Sequence, residues 1–320
     1  MRTRTYKIIL AGGVDWADKF FDLLLNMGFE VPGIITTPDK KMGRGLKSFP
    51  PYLKTYAQKR NIKVWQPKKI NDPDFLKEVE LISPDLVLVI AYGKLLPKEF
   101  LNIPRLGCLN FHPSFLPQLR GPSPIQSAIL KGLEKSGITI FKLDEGMDSG
   151  PIVVQEEITL SPRETAVTLT EKAVSLGIKL LNSSLLPFLE GKIVPKPQKG
   201  KATYCQVITK KDGEIQWHNE LAAGIDRKVR ALEGWFKVFT NLNIRGISKR
   251  VDIIKTRGVV SKDGIILAPG EYSSFQKNSN VYLAIGTKEN ILLVESLKVE
   301  GKNELSAKNF LLGYKEGKFE

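Results

Sequence analysis

Over the first two thirds of the chain, short apolar segments rich in β-branched residues alternate with segments whose apolar residues recur at helical spacing. The strand-like segments are YKIILAGG, VPGIIT, IKVW, DLVLVIAYG, GCLNFHPSFLP, GITIFKLD and GPIVVQEEITL. The helix-like segments are WADKFFDLLLNMGF, PYLKTYAQKR, DPDFLKEVEL, PIQSAILKG and residues 165–191. This alternation predicts an α/β domain with a doubly wound, mostly parallel, Rossmann-like sheet and a ligand beyond the carboxyl ends of its strands.

The pattern changes near residue 191. The segment GKIVPKPQKGKATY contains two prolines, two glycines and four lysines, a composition typical of an exposed linker. Beyond it, a helix over LAAGIDRKVRAL precedes the strand-like segments FKVFTNL, VDIIKT, GIILAPG, VYLAIG and ILLVESLKV. The sequence therefore predicts an α/β domain over residues 1–190, a basic linker over 191–203 and an OB-like β-barrel over 204–320.

Composition argues against several classes of protein. Of 320 residues, 42% are hydrophobic and 26% are charged, which is typical of a globular chain and not of a fibrous or disordered one. No uninterrupted apolar run approaches the roughly 20 residues of a membrane helix. The apolar stretch YKIILA near the start is too short for a signal peptide. We therefore expect a cytoplasmic protein.

Charge and cysteine content bear on the partners of the chain. The 48 Lys and Arg residues outnumber the 34 Asp and Glu residues, and the net charge is +14. The excess is concentrated over residues 201–250, with 10 basic and 5 acidic residues. It indicates either a polyanionic partner such as nucleic acid or a contribution to solubility alone. Cys108 and Cys205 are far apart and belong to no cluster with metal-ligand spacing, so we expect core thiols and no metal.

The usual phosphate-binding signatures are missing from the sequence. The turn after the first strand is AGGVDWADKF in place of GxGxxG, and GxxxxGK[ST] does not occur. The sequence therefore argues against a dinucleotide-dependent dehydrogenase and against a P-loop enzyme.

Three polar residues form the main candidate site. Asn110 and His112 are two residues apart at the end of a predicted strand, so their side chains face the same side. Asp148 follows the strand GITIFKLD, which would end at the same edge if it is parallel and adjacent to that strand. Amide, imidazole and carboxylate together suit acyl transfer between nitrogens, although these residues also occur as turn formers and in solvated loops. The other histidine, His218, is expected at the surface or as a capping residue.

Longer motifs carry a family resemblance. The folate-dependent formyltransferase superfamily has an N-x-H strand end, a SLLPxxRGxxPIQ segment and a D-x-G turn, which resemble LNFHPSFLPQLRGPSPIQSAI and GITIFKLDEGMDSGPIV. The methionyl-tRNA formyltransferases have a TxPDxxxGRGxK loop and an AYGxxLP strand and helix, which resemble TTPDKKMGRGLK and VIAYGKLLPKEFLNIPRLG. The start of their C-terminal domain is similar to ATYCQVITKKDGEIQW. The resemblance covers nearly the whole chain and is weakest over residues 235–285.

The resemblance implies a reaction and a role for each site residue. A formyl group passes from 10-formyltetrahydrofolate, as co-substrate, to the α-amine of methionine on initiator tRNA, for translation initiation. The free amine attacks the formyl carbon, and Asn110 and a cationic His112 stabilise the resulting oxyanion. Asp148 orients or charges the imidazole and relays protons through water. Because an opposite charge favours the imidazolium, we expect the titrations of His112 and Asp148 to be coupled.

The resemblance also implies the folate contacts. The matching positions are Ser114, Phe115, Leu116 and Pro117 in a folate-binding turn, and Ile90, Ala91 and Tyr92 in a pterin-facing backbone. A flat heteroaromatic ring needs an apolar slot with a few backbone donors and acceptors. Two departures from the family are Phe115, where Leu is usual and a larger ring narrows the folate entrance, and AGGVDW, where AGTPDF is more frequent.

The tRNA contacts follow from the same resemblance, which places residues 37–48, the GRG loop, against the acceptor stem. Its glycines allow close approach to a backbone, and Lys41, Arg44 and Lys47 supply phosphate contacts. A solvated basic loop is the alternative. The basic C-terminal barrel then binds the tRNA electrostatically. We expect a monomer, since no exposed apolar stripe stands out.

Two other functions stay open at this point. The same chemistry can act on a small amine, such as an amino sugar nucleotide or glycinamide ribonucleotide, but that acceptor needs neither the GRG loop nor a basic second domain. A non-enzymatic RNA-binding module on an α/β scaffold would not need Asn110, His112 and Asp148 together.

Overall fold

Two seven-stranded sheets and one two-stranded sheet, with their helices, form the part of the chain that the computed structural model describes, residues 5–42, 47–262 and 266–320. The helices are Asp18–Asn26 (α1), Tyr52–Gln58 (α2), Pro73–Ile82 (α3), Lys98–Leu101 (α4), Pro124–Leu130 (α5), Ala166–Leu189 (α6), Ala222–Leu232 (α7) and Ala307–Gly313 (α8). The first nine strands are Ile8–Gly12 (β1), Gly33–Ile35 (β2), Lys40–Met42 (β3), Lys47–Phe49 (β4), Lys63–Trp65 (β5), Leu86–Ile90 (β6), Cys108–His112 (β7), Lys135–Lys142 (β8) and Ile152–Thr159 (β9). The others are Val238–Ile244 (β10), Ile247–Val260 (β11), Tyr272–Lys277 (β12), Asn280–Gly286 (β13), Ile291–Val299 (β14), Leu305–Ser306 (β15) and Lys318–Phe319 (β16).

Chain contacts divide the protein into two compact units. The first unit comprises Met1–Pro124, Lys135–Thr159 and Glu171–Gln206. The second unit comprises Ile125–Glu134, Leu160–Thr170 and Val207–Glu320. The two short excursions of the second unit interrupt the sequence of the first, and the sequence pattern alone does not indicate them.

The first unit is built on a seven-stranded sheet in the order β5-β2-β1-β6-β7-β8-β9. Pairs from β5 to β7 are parallel, and β8 and β9 are antiparallel to their neighbours. All five residues of β1 and of β6 are buried, as expected for strands covered on both faces. The predicted mostly parallel, Rossmann-like sheet is therefore confirmed.

The strand before Asp148, β8, is adjacent to β7 but antiparallel to it, so the condition under which it would end at the same edge is not met. His112 pairs with Thr139 and Leu109 pairs with Lys142, so β8 ends beside the start of β7. The chain between the two strands, residues 113–134, contains helix α5 and returns to the end of β7 at which it left, so β8 runs back beside β7.

Packing on both faces holds β7, the strand that contains Asn110 and His112. Phe111 faces the opposite side from these two residues, and its ring centroid lies 5.8 Å from Trp16 and 5.0 Å from Phe20. Helix α6 packs against the same ring at Gly177, where a Cβ atom would lie 2.2 Å from Phe111. Glycine at this helical position therefore permits the close approach of α6 to the sheet.

The second unit contains a curled antiparallel sheet in the order β12-β13-β14-β11-β10-β16, as expected for the predicted OB-like domain. Its core includes Trp217, whose indole N–H donates to the Thr240 hydroxyl at 2.8 Å. The predicted strand GIILAPG is not a strand over its described residues 266–270. Strand β12 and helix α8 have no clear periodic signal in the sequence. Tertiary packing and not a local pattern stabilises them. Within the described ranges, no helix is long and apolar enough to cross a membrane.

A buried carboxylate joins several elements of the second unit. Both oxygens of Asp226 accept from Arg163, at 2.7 and 2.8 Å. Arg230 Nε and the Thr256 hydroxyl donate to the same carboxylate at 3.0 and 2.7 Å. Burial alone raises the pKa of Asp226, but the hydrogen bonds from Arg163 and Thr256 outweigh it, so this pKa lies below its ordinary value.

We expect Asp226→Asn to lower the free energy of unfolding at neutral pH by about 3 kcal/mol, because it leaves two arginines facing a neutral group. Since the folded-state pKa is lowered, this contribution is present above about pH 4 and is lost as pH falls through the folded pKa. The difference between wild type and variant in urea unfolding should therefore shrink in acid. Glu316→Gln, which breaks an exposed pair with Arg245, is the control and should change stability by less than about 1 kcal/mol. An equal difference at both pH values would contradict this account.

Candidate active site

His112, at the end of β7, has a buried imidazole with two defined neighbours. Nε2 lies 3.0 Å from the carbonyl oxygen of Leu119. A carbonyl only accepts, so Nε2 carries the proton. Nδ1 lies 3.7 Å from Oδ2 of Asp148, a distance for an ion pair but longer than a hydrogen bond. In the neutral ring, Nδ1 therefore presents a lone pair beside the Asp148 carboxylate.

The protonation of His112 in the resting structure follows from its burial and its two neighbours. Burial lowers the pKa of His112, while the Asp148 carboxylate and the Leu119 carbonyl act in the opposite direction. Burial has the larger effect, so the pKa lies below its ordinary value and the ring is neutral near neutral pH. The cationic form of His112 that the resemblance implies concerns the reaction and stays a prediction, whereas the lowered pKa favours a neutral imidazole in the resting structure.

The Asp148 carboxylate reaches this position by a turn and not by the direction of its strand. Its Oδ2 accepts a hydrogen bond of 2.7 Å from the backbone N–H of Gly121. Gly121 has φ of +118°, and a Cβ atom there would lie 2.4 Å from the carbonyl oxygen of Cys205, so only glycine fits. Asp148 and Leu119 have φ of +48° and +56°, a left-handed conformation that is strained for side-chain-bearing residues.

Asn110 shares the face of β7 with His112. It is half-buried and lies between Val89 of β6 and Phe141 of β8. Among the described residues its side-chain amide has no hydrogen-bond partner. Its N–H groups are therefore available to a ligand oxygen on the His112 side of the strand.

The turn over residues 114–117 is held from β8 and β9. The hydroxyl of Thr139 donates to the Ser114 carbonyl at 2.7 Å and accepts from the Leu116 N–H at 3.1 Å. Ser114 Oγ donates to the Gln118 carbonyl at 2.6 Å, and Gln155 Nε2 donates to the Leu116 carbonyl at 3.1 Å. Sequence reasoning missed Thr139, because its contacts cross 23 and 25 residues and no local motif marks them.

Phe115, one of the two departures from the resemblance, is accommodated by a glycine on the neighbouring strand. A Cβ atom at Gly137 would lie 2.9 Å from both Cβ and Cδ2 of Phe115. The aromatic ring therefore packs against the bare backbone of β8.

Of the residues 90–92, only Ala91 has an exposed side chain, which is a single methyl group. The side chains of Ile90 and Tyr92 are buried, and burial raises the pKa of Tyr92 to about 12. Ala91 is exposed, with φ of +46°. A Cβ atom at Gly13 would lie 2.7 Å from the Ala91 carbonyl oxygen, so the AGGVDW turn approaches this backbone closely because it has glycine there.

The segment from Lys196 to Cys205, which follows α6, is paired with the site loops. Thr203 accepts from the Arg120 N–H at 2.9 Å through its carbonyl and from the Leu119 N–H at 2.9 Å through its hydroxyl. Cys205 is buried, as predicted, but its N–H donates to the Arg120 carbonyl and its Sγ accepts from the Ser123 N–H. The lysine- and proline-rich composition did not indicate these contacts, since each is non-local.

The remaining predicted residues lie away from this cluster or outside the described residues. Lys41 and Lys47 lie on β3 and β4, which form an antiparallel pair where the sequence predicts a loop. Arg44 lies outside the described residues. His218 is exposed and Cys108 is buried, both as predicted, and burial raises the pKa of Cys108 to about 12. In the part of the chain that is described, no group of three His, Cys, Asp or Glu side chains is arranged to hold a metal.

Comparison with known proteins covers nearly the whole chain. The formyl transferase family model matches residues 6–185, and the model for the C-terminal domain of formyl transferases matches residues 207–315. The methionyl-tRNA formyltransferase of Thermodesulfovibrio yellowstonii is 36% identical over 311 residues, 96% of each chain. That of Pelotomaculum thermopropionicum is 34% identical over 307 residues, 96% of this chain and 95% of the relative.

Solved structures share the fold at lower identity. HypX from Aquifex aeolicus in complex with tetrahydrofolic acid has a TM-score of 0.63 and 17% identity and covers 97% of this chain, which spans 47% of that protein. An N-formyltransferase from Helicobacter canadensis, in complex with folinic acid and dTDP-3-aminofucose, has a TM-score of 0.62 and 18% identity. The match covers 91% of this chain and 98% of the Helicobacter canadensis chain.

The pKa of His112 provides a direct test of this geometry. Only two histidines are present, so the imidazole NMR signals can be assigned with a His218→Gln variant. We expect a pKa for His112 below the ordinary value, and a further decrease in Asp148→Asn, because the carboxylate that favours the imidazolium is removed. Glu145 lies in the same loop as Asp148, and its exposed carboxylate pairs with Lys98 of α4. Glu145→Gln is therefore the control and should leave the pKa of His112 unchanged. An increase in Asp148→Asn would contradict the arrangement.

Proposed function

The chain belongs to the formyl transferase family, among the methionyl-tRNA formyltransferases, and we propose that it transfers a formyl group from 10-formyltetrahydrofolate to the α-amine of methionine on initiator tRNA. Translation initiation consumes the product. The observation that carries this proposal is the similarity to methionyl-tRNA formyltransferases at 31–36% identity over nearly the full length of the chain. The pairing of a neutral, buried His112 with Asp148 supplies the chemistry that the reaction needs.

The reaction exchanges one carbon–nitrogen bond for another. The amine of methionine attacks the formyl carbon, a tetrahedral oxyanion forms, and the bond from the carbon to N10 of the folate breaks. The amide N–H groups of Asn110 donate to the oxyanion. The proton released by the attacking amine passes, directly or through water, to the pair formed by His112 and Asp148, and returns to N10 of the leaving tetrahydrofolate.

The neutral state of His112 suits this proton transfer. A ring that is uncharged before the reaction can accept a proton, whereas an imidazolium cannot. Once protonated at Nδ1, the ring faces the Asp148 carboxylate at ion-pair distance, so the charge that develops during the reaction is stabilised. Burial thus favours the neutral ring before the reaction, and the Asp148 carboxylate stabilises the protonated ring during it.

The folate contacts belong to the two loops next to the catalytic residues. We assign the pterin to the backbone of Ile90, Ala91 and Tyr92, at the carboxyl end of β6. Ser114, Phe115, Leu116 and Pro117 form the second wall, which Thr139 holds in place. No metal takes part in this scheme.

The tRNA contacts are electrostatic. Lys41, Arg44 and Lys47 of the GRG loop are assigned to phosphates of the acceptor stem. In the second unit, part of the positive charge is already paired within the unit, as in Lys228 with Glu220 and Arg245 with Glu316. Over residues 207–250, the exposed lysines outside those pairs are Lys210, Lys211, Lys237 and Lys249, and further exposed lysines lie over residues 277–318. Exposed lysines of this kind are available to tRNA phosphates.

In this proposal, residues 1–190 form the catalytic domain, residues 191–203 a basic linker and residues 204–320 the tRNA-binding domain. The protein acts as a cytoplasmic monomer. A formyltransferase for a small amine fits less well, since the sugar N-formyltransferases share only the fold, at 18% identity. A binding module without activity leaves the pairing of His112 and Asp148 without a purpose.

A substrate comparison tests the function. The purified protein, given 10-formyltetrahydrofolate and methionyl initiator tRNA, should produce formyl-methionyl-tRNA, and uncharged tRNA should give no product because it lacks the amine. A dTDP-amino sugar serves as the competing acceptor. Turnover with the sugar and none with the charged tRNA would assign the chain to the small-amine enzymes, and tight RNA binding without any turnover would make it a binding module.

The role of Asn110 is tested by Asn110→Ala. We expect kcat to fall by about 10²- to 10³-fold, the usual effect of losing one oxyanion donor. The thermal unfolding midpoint should stay close to that of wild type, since the side-chain amide has no partner among the described residues. Asn241→Ala, at an exposed position on β10, is the matched control. An unchanged kcat in Asn110→Ala would remove Asn110 from the mechanism.

A further inference from the structure

Gln198 lies in the segment whose composition predicts an exposed linker, yet its side chain bridges two loops of the active site. Oε1 accepts from Nη2 and Nε of Arg120, at 2.7 and 3.1 Å. Nε2 donates to the carbonyl oxygens of Asp148 and Gly150, at 2.8 and 2.9 Å. The amide thus uses both of its N–H groups and both lone pairs of its oxygen.

Backbone pairing determines the position of Gln198. Lys196 and Ile152 exchange two backbone hydrogen bonds, of 2.7 and 2.8 Å, in an antiparallel bridge. This register places residue 198 opposite residue 150. Gly150 is buried, and a Cβ atom there would collide with the Lys142 carbonyl oxygen, so only glycine allows this close approach to β8. Gln198 therefore contacts a turn that is itself packed against β8.

The other partner of Gln198 belongs to the turn that contacts the catalytic pair. Next to Arg120, the Gly121 N–H donates to the Asp148 carboxylate at 2.7 Å. On the other side of Arg120, the Leu119 carbonyl binds Nε2 of His112 at 3.0 Å. One loop therefore orients the imidazole and the other supplies the carboxylate, and the relative position of the loops determines the distance from His112 to Asp148.

We propose that Gln198 is a positioning residue for the formyl transfer: it links the Arg120 turn to the Asp148 turn and so keeps the Asp148 carboxylate beside Nδ1 of His112. The kinetic part of this inference rests on the proposed function. The geometric part does not, because the pKa of His112 reports the position of the carboxylate without any turnover.

A merely structural contact would give a different result in two substitutions. Gln198→Ala removes all four hydrogen bonds. Gln198→Glu keeps an oxygen for Arg120 but replaces the two N–H donors by a carboxylate oxygen facing the carbonyls of Asp148 and Gly150. If the contact with Arg120 alone mattered, Gln198→Glu would behave as wild type. Gln206→Ala, in the same segment and without a side-chain partner among the described residues, is the matched control.

The first measurement is the NMR titration of His112 in Gln198→Ala and Gln206→Ala. In Gln198→Ala, which adds no charge, the Asp148 carboxylate is free to move away, so the pKa of His112 should fall toward the value in Asp148→Asn. Gln206→Ala should match wild type. A pKa of His112 in Gln198→Ala equal to that of wild type would overturn the proposal.

The second measurement is steady-state kinetics with charged initiator tRNA. We expect kcat to fall by about 10- to 100-fold in both Gln198 variants, the effect of a small misplacement of a reacting group. The KM for the folate should change far less, since its assigned contacts lie on residues 90–92 and 114–117. A loss of activity that only follows the loss of folded protein, measured by thermal unfolding, would make Gln198 structural. If Gln198→Ala does not fold, Gln198→Met, which keeps the length of the side chain, replaces it.

The two measurements separate the two proposals. An inactive wild type with a shifted His112 pKa in Gln198→Ala would overturn the proposed function and retain the positioning role. An active wild type with unchanged kcat in both Gln198 variants and an unchanged pKa in Gln198→Ala would retain the function and overturn the role of Gln198.

Discussion

The proposed chemistry of this protein depends on the burial of one imidazole beside one carboxylate. Burial lowers the pKa of His112, and the Asp148 carboxylate at 3.7 Å partly offsets that effect. Without burial the pKa of the ring would be higher, and a smaller fraction of the protein would have a neutral imidazole before the reaction. Without the carboxylate a protonated ring would have no counter-charge in its buried surroundings. The two opposing effects keep a neutral base ready for a charge that exists only during the reaction.

The precision of that pair comes from residues that are distant in the sequence. Thr139 holds the turn after His112, Thr203 binds the Leu119 N–H, and Gln198 links the turns of Arg120 and Asp148. Leu119 and Asp148 have left-handed backbone conformations, which persist only where the surroundings enforce them. The short basic segment after α6 therefore contributes to the site, and a linker composition does not exclude hydrogen-bonded structure.

The basic side chains of the second unit include some that pair with a buried carboxylate and others that are exposed to solvent. Arg163 and Arg230 pair with the buried Asp226 and stabilise the fold. Lys210, Lys211, Lys237 and Lys249 are exposed and lie outside the ion pairs of the unit, so they are available to an anionic partner. A net charge of +14 therefore overstates the charge that a nucleic acid can contact.

The sequence by itself determined the alternation of elements, the mostly parallel sheet and the residue types of the site, because hydrophobic periodicity and short motifs are local properties. The spacing of Asn110 and His112 on a strand placed both on one face. Only the tertiary structure decided the antiparallel direction of β8, the two excursions of the second unit, the neutral state of His112 and the contacts of Gln198. Strand direction depends on where a connection returns to the sheet, and a pKa depends on which groups surround a side chain. Both are set by contacts between residues far apart along the chain, which no local pattern contains.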